Sequence, residues 1–177
     1  YANWYFENAA THLSPETTFE SATEIHQVFH EPIGVAAIIL PWNFPMSNFI
    51  WATIQSLVAG NTVILKDSEE CPLCGKFIEE IFTKNLPKGV FNEIYGDGET
   101  AKTLLEQDIN MFAFTGSSKT GKSIYETAGK KFIKAVMELG GSAPGIIFED
   151  ADLELAIPNV CMARLQNCGQ CCDGLKR

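Results

Sequence analysis

The stretch Asn167-Cys168-Gly169-Gln170-Cys171-Cys172 holds three of the six cysteines in the chain and is its richest place for nucleophilic chemistry. A thiol attacks only as the thiolate, so a reactive cysteine needs partial exposure and a group that takes its proton. The competing role for Cys171 and Cys172 is that of small, buried apolar residues. A histidine base would have to be His12, His26 or His30, all far upstream, which argues against a Cys-His pair. A zinc site would join Cys71 and Cys74 to Cys168 and Cys171, but these two halves lie far beyond the ~12–20 residue spacing of compact zinc sites, so no metal is expected. A carboxylate remains as the base. Glu138, in Met137-Glu138-Leu139-Gly140-Gly141, is expected at the end of a buried strand, where apolar neighbours raise a carboxyl pKa and a double glycine admits another backbone. Asn43, between Trp42 and Phe44-Pro45, offers an amide donor of the kind that stabilises an oxyanion.

These groups are distant in sequence, so the elements between them must bring them together. Residues 1–13 read as the last turns of a helix closed by Ser14-Pro15, and residues 17–29 as strands exposed on one face, of a type that pairs with another subunit. Buried strands then alternate with helices. Strands are expected at 35–40, 62–66, 90–95, 111–115, 135–139 and 145–148, and helices at 46–59, 71–86, 99–107 and 119–128. Residues 152–166 form a further helix, broken at Gly169. This alternation predicts an α/β fold, a Rossmann-like parallel sheet with helices on both faces, whose ligands bind beyond the carboxyl ends of the strands.

Two loops have phosphate-binding patterns. Gly116-Ser117-Ser118-Lys119-Thr120-Gly121-Lys122-Ser123 matches the triphosphate loop, with Ile146 to Asp150 as a conceivable magnesium-binding strand, and so keeps a triphosphate-binding reading open. Gly96-Asp97-Gly98 is a weak dinucleotide match and suits a tight turn better. Lys66-Asp67-Ser68-Glu69, just past a buried strand, can meet a ribose or can be a solvated charged turn. A non-catalytic metal or thiol module is the third class left open.

The totals narrow the partners. The chain has 13 basic and 22 acidic side chains, a net charge of −9, which repels phosphate polymers and anionic lipid, so neither nucleic acid nor membrane is expected as a partner. The longest apolar run, 35–40, is far below the ~20 residues of a membrane helix. Six cysteines without a repeating framework suit reduced thiols and a cytoplasmic location. Because the first residue is Tyr1, the chain is expected to be a piece of a longer polypeptide.

Five stretches stand in register: Pro41-Trp42-Asn43-Phe44-Pro45, Lys66 to Glu69, Phe114-Thr115-Gly116-Ser117, Glu138-Leu139-Gly140-Gly141, and Asn167-x-Gly169-Gln170-x-Cys172. In order and spacing they resemble the aldehyde dehydrogenase superfamily over essentially the whole chain. Gly140-Gly141-Ser142 and Glu149-Asp150-Ala151-Asp152 are most similar to its succinate-semialdehyde branch. The resemblance implies an NAD-binding domain over 1–141 and the start of a catalytic domain over 142–177. It implies Cys172 as nucleophile, Asn43 with the Cys172 N–H as oxyanion donors, and Glu138 as the base that activates water. Lys66 and Glu69 would bind the adenosine ribose, and Ser117 the pyrophosphate. Pro41, Trp42, Gly116 and Leu139 would line the remaining cofactor surface. Glu69 would repel a 2′-phosphate, favouring NAD, with NADP as the second choice. The family also implies a small-molecule aldehyde substrate and a homo-oligomer of the full-length protein, with this piece alone weak or inactive. Asp67 departs from a proline common in the family, and Ala143 from an acidic residue.

Overall fold

The computed structural model describes residues 2–177. At its centre is a five-stranded parallel sheet in the order β5-β4-β3-β6-β7. The strands are β3 (Val35–Ile39), β4 (Thr62–Lys66), β5 (Phe91–Ile94), β6 (Met111–Thr115) and β7 (Lys134–Glu138). Ahead of the sheet come helix α1 (Ala2–His12) and an antiparallel hairpin of β1 (Glu16–Glu20) and β2 (Ile25–Val28), both strands exposed along their whole length.

The two-residue strand period explains the layering. Along β3, Ala36 and Ile38 face one core with Val63, Leu65, Phe91, Met111 and Ala113, while Ala37 and Ile39 face the other with Phe112 and Phe114. The first core is closed by α2 (Pro45–Phe49), a π-helical stretch (Ile50–Ile54), α3 (Gln55–Val58) and α4 (Pro72–Asn85). The second is closed by α5 (Gly98–Glu106) and α6 (Ser118–Lys131). Phe49, Phe82 and Phe91 lock α2, α4 and β5 together through edge-to-face and tilted ring contacts. Short polar pins fix the entry to β3: Asn61 Oδ1 accepts from the N–H groups of Ile33 and Gly34, and Asn110 Oδ1 accepts from that of Val35.

Two sequence expectations need correction. Residues 145–148 do not form a strand. The nearby pairing among the described residues is a bridge between Ala143 and Leu175, with the Lys176 and Arg177 N–H groups donating to Ala143 O and the Gly145 N–H to Arg177 O. Ile146 and Phe148 stay exposed because no sheet offers that apolar run a neighbour. Nor is β7 a buried strand. It is the sheet's edge, and Lys134, Val136 and Glu138 face an open cleft on the side of the first core, so Glu138 is exposed rather than buried. Helix α7 (Leu153–Leu165) has no buried residue, since Leu153, Leu155, Ile157, Met162 and Leu165 are distributed around it and lack cover among the described residues.

Candidate active site

All five parallel strands point their carboxyl ends the same way, and the loops that follow them carry the chemistry. After β3, Pro41-Trp42-Asn43-Phe44 leads into Pro45, whose fixed φ suits the first position of α2. After α7, a 3-10 turn (Gln166–Gly169) holds Asn167, Cys168 and Gly169 at left-handed φ angles of 49°, 56° and 76°. Consecutive left-handed residues, two of them not glycine, are costly and persist only where contacts hold them. Asn43 supplies those contacts. Its side-chain amide donates to Gln170 O at 2.8 Å, and its own backbone carbonyl accepts from Asn167 Nδ2 at 2.6 Å.

This clamp sets the two adjacent thiols apart. Cys171 is buried, its Sγ 3.4 Å from Gln166 O, whereas Cys172 is exposed. Lys176 Nζ donates to both carbonyls, at 3.1 Å for Cys171 and 2.8 Å for Cys172. Cys172 and Glu138 line one cleft of about 500 Å³, whose walls include Asn48, Trp51, Gln55, Phe114 and Thr115. Asn43 is not part of the cleft wall, but it reaches it through Asn48, whose amide donates to Asn43 Oδ1 at 3.4 Å. The double glycine after Glu138 has the close approach its sequence suggests. A Cβ on Gly141 would fall 2.8 Å from the Cys172 carbonyl oxygen. Gly141→Ala is therefore expected to push the thiol loop outward and destabilise the fold by about 1–3 kcal/mol, read as a lower midpoint of denaturant unfolding.

Lys66 and its neighbours are no solvated turn. Lys66, Asp67 and Ser68 are buried; Lys66 Nζ donates to Asp67 O at 2.9 Å and to Glu69 Oε2 at 3.3 Å. Glu69 itself faces solvent, and its carboxyl is held below the usual range first by its own backbone N–H, against desolvation by burial, with the Lys66 ammonium adding to the lowering. A cation and an ionised carboxylate side by side at a strand end suit the two hydroxyls of a ribose. Ser117 is the N-cap of α6, its Oγ accepting from the Thr120 N–H at 3.2 Å, at the positive end of a 14-residue helix. A Cβ on Gly116 would strike the Phe114 ring, and one on Gly121 the Leu139 side chain, so both glycines serve close packing of α6 on the sheet. Pro41 and Trp42 follow the β3 end, Trp42 exposed. This donor set fits a dinucleotide: a ribose pair at β4 and a helix N-terminus after β6.

The same geometry removes the triphosphate reading. A triphosphate loop needs several residues of open backbone between its first glycine and its lysine. Here the helix begins at Ser118, so Lys119, Thr120, Gly121, Lys122 and Ser123 are helical and no cradle exists. Asp97 likewise caps α5 by accepting from the Glu99 N–H at 2.9 Å, which makes Gly96-Asp97-Gly98 a helix-opening turn. Cys71 is the N-cap of α4 with Pro72 at its first position, and among the described residues no group of three His, Cys, Asp or Glu side chains could hold a metal ion. Sequence reasoning missed the cleft walls Asn48, Trp51 and Gln55, which look like ordinary helix residues until the helix is laid along β6 and β7.

Known proteins agree with this architecture. The model of the aldehyde dehydrogenase family matches residues 1–177. Benzaldehyde dehydrogenase, mitochondrial, from Antirrhinum majus is 44% identical over 150 residues, which is 82% of this chain and 28% of that protein. Retinal dehydrogenase 2 from Homo sapiens is 43% identical over 152 residues, 84% of this chain and 29% of that protein. The structure of Mycobacterium tuberculosis aldehyde dehydrogenase complexed with NAD+ superposes with a TM-score of 0.92 at 36% identity, covering 98% of this chain and 36% of the other. The chain thus spans about three-tenths of the length of these curated relatives. With the whole sequence matched and the fold shared, this chain belongs to the aldehyde dehydrogenase family.

Proposed function

We propose that this chain carries the cofactor-binding surface and the nucleophile of an NAD-dependent enzyme that oxidises an aldehyde to its carboxylic acid. The observation that carries this reading is Cys172 and Glu138 on one cleft, with the Asn43 amide clamped to the thiol loop. The Cys172 thiolate attacks the aldehyde carbon, a C–S bond forms, and the carbonyl electron pair moves onto oxygen. The Asn43 NH₂ group has two hydrogens; one engages Gln170 O, and the other, with the Cys172 backbone N–H, is the donor pair for that oxyanion. NAD bound between the β4 and β6 loops supplies the hydride acceptor. The substrate is then held on Cys172 as a thioester. Glu138 takes a proton from water, whose oxygen attacks the thioester carbon, and the acid leaves as the thiolate is restored.

Exposed Glu69 beside Lys66 favours NAD over a cofactor with a 2′-phosphate. Succinate semialdehyde is the first substrate to test, on the strength of Gly140-Gly141-Ser142 and Glu149 to Asp152. The hairpin β1–β2 exposes Phe19, Ile25 and Val28, which suits a homo-oligomer, and six unpaired cysteines suit the cytosol.

Titration of the full-length protein with NAD and, separately, with magnesium-ATP tests the cofactor reading; binding of ATP without NAD would overturn it. Glu138→Gln is expected to lower steady-state turnover by about 10²-fold while preserving a pre-steady-state burst of NADH, because the thioester forms but hydrolyses slowly. Loss of the burst together with turnover would place Glu138 in the first half of the reaction instead.

A further inference from the structure

Beneath the Lys66–Glu69 turn the structure buries two carboxyl groups that the chemistry above does not use. Asp67 follows β4 directly, and Glu93 lies on the neighbouring β5, paired in parallel register with Leu65. Their relative exposures are only 5% and 9%, well below what an unpaired charged side chain tolerates. Gly75, in the first turns of α4, makes room for them. A Cβ there would overlap Glu93 Oε1 and lie 3.4 Å from Asp67 Cβ, which sets the two side chains next to each other under the helix. Asp67 Oδ1 accepts from the Ser68 N–H at 2.8 Å and faces Cys71 Sγ at 3.6 Å, but Asp67 Oδ2 and both Glu93 oxygens have no partner among the described residues.

Ionised carboxylates are acceptors only, so two of them buried side by side leave every inward oxygen unsatisfied and repel each other. One proton removes the repulsion and pairs two of the three orphaned oxygens, because a carboxylic acid donates to a neighbouring carboxylate. We propose that Asp67 and Glu93 are positioning residues for the cofactor turn: they share one proton, Glu93 donating it to Asp67 Oδ2, and so fix the backbone that aims Lys66 and Glu69 at the adenosine ribose. The positioning role rests on the NAD reading given above; the shared proton does not. Asp67 sits between the two ribose-facing residues, and its carbonyl receives the Lys66 ammonium, so a shift of Asp67 moves both. The charge environment agrees. Burial, then Asp67 and Glu79, push Glu93 up to about 8, and burial also raises Asp67 against the Ser68 N–H, Cys71 and Lys66. The titratable groups facing the pair are Lys66 from β4, Cys71 at the N-cap of α4, Glu79 from α4, and Tyr95 past β5, whose hydroxyl donates to Glu79 Oε2 at 2.7 Å, with Cys74 acting on the pair only through Cys71. Burial and Asp67 push the Cys71 thiol up to about 12, so it stays a neutral donor throughout.

The test uses the full-length protein, Glu93→Gln, which keeps side-chain volume and a donor towards Asp67, and, as a second variant, Asp67→Asn, which keeps volume but removes the carboxylate that accepts the proton. Infrared difference spectra across pH should show in the wild type a protonated carboxyl band that disappears near about 8 and is missing from Glu93→Gln. Calorimetric titration with NAD should show wild-type affinity falling about tenfold across the same interval, and both variants losing that dependence. A band that persists in Glu93→Gln, or a wild-type pH profile that both variants reproduce, overturns the proposal. A wild type that shows the band but binds no NAD at any pH overturns the cofactor reading and the positioning role together, leaving only the shared proton.

Discussion

Cys172→Ala in the full-length protein is expected to lower kcat for aldehyde oxidation by at least about 10³-fold, with the NAD dissociation constant unchanged within about twofold. The nucleophile makes its bond only after both substrates are bound, so its removal takes away the covalent route without touching the ribose turn at Lys66 and Glu69. Cys171→Ala is the matched control. That thiol is buried, faces Gln166 O rather than the cleft, and makes no part of its wall. Its loss should leave kcat within about threefold and cost about 1 kcal/mol of stability from a small buried void. Equal loss of turnover in the two variants, or normal rates in Cys172→Ala, would remove Cys172 from the chemistry. Single-turnover NADH release and unfolding midpoints on the same preparations decide the matter.

The second large effect is on stability and comes from Glu93. Its folded-state value of about 8 lies above the ordinary 4.5. Below 4.5 both folded and unfolded chains hold the proton, and the group costs nothing. As pH rises from 4.5 towards 8, the unfolded chain releases its proton while the folded chain retains it, so each step of pH favours unfolding. Above 8 both forms are ionised and the loss levels off. At about 1.4 kcal/mol for each pH unit that separates the folded from the unfolded value, the total is on the order of 5 kcal/mol. Asp67, raised in the same direction, adds to it. Glu93→Gln should therefore gain on the wild type progressively as pH rises to about 8, measured as the difference between their urea midpoints across pH. A constant difference would mean that Glu93 titrates normally in the folded protein.

The middle of the sheet was legible because β3, β4 and β6 are short, mainly apolar runs bounded by turn residues: 62–66 and 111–115 fall where expected to the residue. Helix ends were legible where a cap announces them, as at Asp97, Ser117 and Asp152, each of which accepts from a first-turn N–H. The far end of α6 was not, because it runs through Gly129 and Lys131 and stops on Phe132, a residue type that rarely takes the left-handed φ found there. Residues 145–148 carry a strand's composition, but composition does not supply a neighbour, and pairing is what makes a strand. The burial of Glu138 was misjudged for a related reason. Apolar flanks at 137 and 139 describe the inward face of β7, whereas position 138 points the other way at an edge. Least visible of all was the Asp67–Glu93 pair, since no local pattern links position 67 to position 93; only the β4–β5 register and the space left by Gly75 do so.

The clamp between Asn43 and the thiol loop has a bearing on how kinetics should be dissected. One amide both anchors Gln170 and stands ready for the oxyanion, while the carbonyl of the same residue anchors Asn167. An Asn43→Ala rate deficit would thus mix two losses, weaker charge stabilisation and a wandering sulfur, and no single rate constant could separate them. Alkylation of Cys172 by a neutral reagent that develops no oxyanion would report the second alone, and subtracting it would isolate the first.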